Sequence, residues 1–84
     1  MKRFDYLVNE QLKTMERLLY LQTELERCQD IEQELDSLDE GAELAALREE
    51  MDLMKINLRS IQKTFENQTE EVIRSYQEAH LNTI

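Results

Sequence analysis

Eighty-four residues with 40% hydrophobic and 35% charged side chains, one Gly, no Pro and no Trp allow one domain and have the composition of long helices, which excludes a turn-rich sheet protein. The net charge of -9 leans toward disorder, but the apolar content is too high and too regular for a disordered tail. The longest apolar run is Leu18-Leu19-Tyr20-Leu21, far short of the roughly 20 residues a membrane span needs.

The chain starts Met1-Lys2-Arg3, but Asp5 and Asn9 interrupt any signal-peptide core. A single Cys excludes an internal disulfide. A cytoplasmic protein with no membrane span is therefore the expectation. In that setting the acceptor-like triplet Asn67-Gln68-Thr69 carries no glycan.

The first periodic segment runs from about Phe4 to Leu38. Its apolar positions include Phe4, Leu7, Val8, Leu12, Met15, Leu18, Leu21, Leu25, Cys28, Ile31, Leu35 and Leu38. From Leu18 onward the steps are 3, 4, 3, 3, 4 and 3, which is helical, with one 3-3 step at Cys28 that shifts the heptad frame and should overwind a coiled coil locally.

Next comes Ser37-Leu38-Asp39-Glu40-Gly41-Ala42-Glu43, which holds the only Gly. Two readings fit. Gly41 can be the left-handed residue that ends a helix. Alternatively, Ser37 and Glu40 form a capping box that starts the second helix and leaves Gly41 in its first turn. One unbroken helix remains an alternative, since a mid-helix Gly costs only ~1 kcal/mol.

The second segment is more regular. Leu44, Leu47, Met51, Met54, Leu58, Ile61, Phe65, Gln68, Val72, Ser75 and Ala79 alternate in steps of three and four, a strong coiled-coil pattern weakened only at Gln68 and Ser75. Folding the chain so that partners sum to about 82 pairs Leu38 with Leu44, Leu35 with Leu47, Ile31 with Met51, Cys28 with Met54 and Leu21 with Ile61. The same fold brings Leu18 toward Phe65 and Phe4 toward Tyr76. That mirror relation favours a hairpin.

The expected fold is thus all-α: an antiparallel two-helix coiled-coil hairpin over residues 1-84, with helices at about 3-38 and 43-80 and a turn at about 37-43. Two helices share one seam and enclose no core, which predicts self-association into a dimeric four-helix bundle. Leu12, Leu19, Tyr20, Leu53 and Ile56 are the candidate oligomer interface.

Charge is uneven along the chain. Residues 30-52 hold ten of the 19 acids and one of the ten bases, Arg48, leaving nine of each elsewhere. The whole net charge sits at the turn. Glu32, Glu34, Asp36, Asp39, Glu40 and Glu43 form a candidate contact surface for a basic partner protein. As a solvated tip they would simply repel wrong contacts. Direct nucleic-acid binding is not expected of like charge.

Little points to chemistry. The chain lacks a Gly-rich phosphate loop, a Ser/His/Asp set, Cys-His zinc spacing and a calcium-loop pattern. Glu-x-x-His, the signature of di-iron bundles, is absent. Cys28 reads as a small buried hydrophobe near Glu24 and Glu32, which oppose a thiolate. His80 reads as a helix-end residue beside Tyr76, and Met51 and Met54 as adaptable core. The function expected is a non-enzymatic interaction module with no cofactor and no metal.

The stretches Leu25-Glu26-Arg27-Cys28-Gln29 with Ile31-Glu32, and Thr64-Phe65-Glu66-Asn67-Gln68-Thr69-Glu70-Glu71-Val72-Ile73-Arg74-Ser75-Tyr76-Gln77-Glu78, resemble the YgaB-like small proteins of spore-forming bacilli over most of the chain. The resemblance implies a small cytoplasmic bacterial protein. It assigns no activity and transfers no site residues.

Overall fold

In the computed structural model, which describes residues 2-81, two helices run antiparallel: α1 (Lys2–Ser37) and α2 (Gly41–Leu81). Met1 and residues 82-84, which the 1-84 domain assignment includes, lie outside the described residues. The Cα envelope measures 67 × 15 × 13 Å. A 41-residue α2 at 1.5 Å per residue is about 60 Å long, so one hairpin length accounts for the molecule. A continuous helix would be about twice as long.

The turn departs from both forms anticipated and shares with the second only the place of Gly41 in the first turn of α2. Asp39, not Gly41, is left-handed, with φ 59°. The Asp39 N–H donates to Asp36 O at 3.2 Å and the Glu40 N–H to Leu35 O at 3.1 Å. These two bonds define a Schellman end to α1 with Asp39 at the left-handed position, where a short polar side chain is tolerated. Glu40 O then accepts the Leu44 N–H at 2.9 Å, so Glu40 is at once the last residue of that motif and the N-cap of α2. Ser37 ends α1 and caps nothing, while Gly41 is an ordinary first-turn residue of α2. Leu38, expected opposite Leu44, is 63% exposed because it already belongs to the turn.

The seam of α2 follows the anticipated positions: every residue from Leu44 to Ala79 in that series is buried or half-buried. The α1 seam differs at two places. Near the open end it passes through Gln11 and Thr14, and Thr14 is buried at 6% exposure. Leu12 and Met15, the apolar neighbours counted from the sequence, are exposed. Near the turn, Ile31 and Glu32 are both half-buried, so steps of three and four continue through Glu32 from Phe4 to Leu35.

Contacts fix the register. Cys28 Sγ lies 4.0 Å from Met54 Sδ, and the Phe4 and Tyr76 rings are 6.1 Å apart, tilted by 52°. Both pairs were anticipated from the mirror relation. Among the described residues the buried apolar ones are Cys28, Leu44 and Met51, all in the half nearer the turn.

Candidate interaction surfaces

The acidic tip is built by the turn and the helix ends on either side. Glu34, Asp36, Asp39, Glu40 and Glu43 are exposed. Glu32 is different: its half-buried carboxylate accepts a hydrogen bond from Arg48 Nε at 3.0 Å, tying the helices together beside the turn. The one base of the region is thereby engaged, leaving the exposed acids to solvent. Their mutual repulsion is relieved by hydration and screened over about 8–10 Å at physiological salt.

Among the described residues, no group of three or more His, Cys, Asp or Glu is placed to hold a metal ion. No helix there is long and apolar enough to cross a membrane.

The open end has a different character. A polar layer interrupts the seam. Gln11 Nε2 donates across it to Thr69 Oγ1 at 2.6 Å, and Thr69 Oγ1 donates to Phe65 O at 2.9 Å. Thr14 Oγ1 donates to Glu10 O at 3.2 Å. Gln68 Oε1 is buried with no partner. Beyond this layer the Tyr76 ring stacks on His80, centroids 6.0 Å apart and planes within 8°. Arg3 bridges to Glu71 at 3.6 Å.

Apolar side chains displaced from the seam collect on one flank of this end. Val8, Leu12, Met15 and Leu19 each follow a seam residue of α1 by one position, which turns their stripe about 100° from the seam. Thr69, Ile73 and Tyr76 stand in the same relation to Gln68, Val72 and Ser75 on α2. In antiparallel right-handed helices, equal displacements from the seam turn both stripes to the same flank. The Gln11–Thr69 and Phe4–Tyr76 contacts agree with that placement. Leu12, Leu19, Ile73 and Tyr76 are each more than half exposed.

The five residues considered from sequence as an oligomer interface are all exposed, and they lie on three sides of the rod. Leu12 and Leu19 belong to the flank just described. Tyr20 and Leu53 precede seam residues Leu21 and Met54 by one position, which puts them on the opposite flank. Ile56 is on the outer side of α2. Val8, Met15, Ile73 and Tyr76 complete the first flank and were not counted with it. Their signal was a second three-four stripe running one residue out of phase with the seam.

A family model described as YgaB-like protein matches residues 3–79. The chain is 49% identical over 76 residues to "Uncharacterized protein YgaB" of Bacillus subtilis (strain 168), covering 90% of this chain and 67% of that protein. No solved structure matches. With nearly the whole hairpin matched, the chain belongs to the YgaB-like family.

Proposed function

We infer that this protein works through protein contacts and not through chemistry, as a self-associating coiled-coil hairpin of the cytoplasm. The observation that carries this reading is the imbalance of apolar surface. Among the described residues three apolar side chains are buried, whereas Leu12, Leu19, Tyr20, Leu53, Ile56, Ile73 and Tyr76 each stay more than half exposed on a rod two helices thick. Scattered exposed apolar residues are normal, and Tyr20, Leu53 and Ile56 lie on other sides of the rod, but Leu12, Leu19, Ile73 and Tyr76 share one flank and offer surface for burial against another helix pair. Sedimentation equilibrium over a wide concentration range tests it. A mass that rises from one chain to two supports self-association, and a constant single-chain mass removes it.

The charge distribution favours a second reading, an acidic regulator that engages a basic partner protein through the tip at 30-52. Neutralising Glu34, Asp36, Glu40 and Glu43 to Gln or Asn leaves the Glu32–Arg48 tie in place. If binding to a Lys/Arg-rich peptide is saturable and is lost in that variant with helicity intact, the reading stands. Unchanged binding, or none by either form, sinks it.

A further inference from the structure

We propose that the flank formed by Val8, Leu12, Met15, Leu19, Ile73 and Tyr76 is the self-association surface, and that its occupant is a second copy in a staggered antiparallel dimer joined at the open ends. This rests on the self-association reading above and adds its geometry.

Two observations carry it. First, the α1 stripe is complementary to itself. A two-fold axis placed between Leu12 and Met15 sets Val8 against Leu19 of the second copy and Leu12 against Met15, each pair occurring twice, as an isologous interface requires. No such match exists on the opposite flank, where the residues between Tyr6 and Tyr20 in the same phase are Glu10, Lys13 and Arg17.

Second, all of the net charge lies in residues 30-52. An in-register parallel dimer would place two tips of charge -9 about one interhelix spacing apart, roughly 10 Å, within reach of each other's field. The staggered arrangement joins the neutral ends and points the tips in opposite directions.

The geometry fixes a length. The axis lies about 18 Å from the open end of a 67 Å rod. The dimer therefore measures about 100 Å, against about 70 Å for a fully overlapped four-helix bundle. Six apolar side chains per copy are few beside the roughly 20–30 residues a side of a standard interface. The dimer should therefore dissociate on dilution.

The test combines sedimentation with small-angle X-ray scattering on the full chain and on two double variants, Leu12→Gln/Leu19→Gln and Tyr20→Gln/Leu53→Gln. The expected result is a dimer with a maximum dimension near 100 Å. Dimerisation should weaken by roughly tenfold or more for each leucine lost in the first variant and persist in the second, with circular dichroism unchanged in both. A dimer near 70 Å, or one that only the second variant disrupts, overturns the staggered flank while leaving self-association standing. A monomer up to millimolar concentration overturns both. The length of the unsubstituted dimer needs no variant, so the test survives any variant that fails to fold.

Discussion

The two halves of the rod solve the same problem in opposite ways. Near the turn, apolar side chains are inside and charge is outside: Cys28, Leu44 and Met51 are buried, while Glu34, Asp36, Asp39, Glu40 and Glu43 face water. Toward the open end the order is partly inverted. Gln11, Thr14, Gln68, Thr69 and Ser75 occupy or border the seam, and Leu12, Leu19, Ile73 and Tyr76 stay exposed.

The reason is the stiffness of a helix. Rotating α1 by about 100° would bury the stripe from Val8 to Leu19, but the same rotation would expel Leu18, Leu21, Leu25 and Cys28 from the seam. A straight helix carries one phase along its length, and the half nearer the turn, with more apolar seam residues, imposes it. Polar seam residues cost stability and pin register. The difference teaches that the closed half holds the hairpin together, while the open half fixes alignment and leaves apolar surface available.

Substitutions can break or sharpen that contrast. The largest effect is expected from Met51→Ala in the closed half, where a side chain only 3% exposed is truncated. Unfolding in urea should show a loss of about 2–4 kcal/mol. A loss under 1 kcal/mol would mean that the closed half is not the main hold.

In the open half the sign reverses. Gln68→Leu removes a buried oxygen with no partner from a seam position and should stabilise by about 1–2 kcal/mol. Amide hydrogen exchange should slow around Gln11 and Thr69 in that variant. Destabilisation would imply that a bound water or a second chain satisfies the Gln68 oxygen.

Effects at the turn should be smaller and isolate the backbone. Asp39→Gly relieves a left-handed conformation and should add about 0.5–1 kcal/mol. Gly41→Ala should add a similar amount, since a Cβ there meets nothing within 4 Å and helical Ala is favoured over Gly by up to ~1 kcal/mol. Thermal melts of both variants check this. A stabilising Asp39→Gly paired with a destabilising Gly41→Ala would contradict the capping assignment.

Smallest of all is Arg48→Ala. It breaks a partly exposed cross-helix ion pair and should cost no more than about 1 kcal/mol. Most of that loss should vanish at high salt.

Much of this was legible without coordinates. The helices, the antiparallel pairing and its register followed from apolar spacing, and the α2 seam was legible down to Gln68 and Ser75, because strict periodicity continues across a polar position. The acidic tip needed only a count, since charge position along a hairpin is charge position in space.

The composition of α1 could not settle two stripes one residue apart. In its first half the more apolar stripe lost, because the partner helix and the closed half set the rotation. The turn was equally ambiguous: Asp39 and Gly41 stand two residues apart, and intrinsic preference pointed to the glycine. The backbone put Asp39 in the left-handed position because that spacing lets the Asp39 and Glu40 N–H groups close on Asp36 and Leu35 and lets Glu40 start α2 at once. The sequence alone therefore determined the elements, their pairing and the placement of charge, which depend on local spacing. Only the tertiary structure decided which face of α1 looks inward and which residue bears the turn, because both depend on the phase two rigid helices must share.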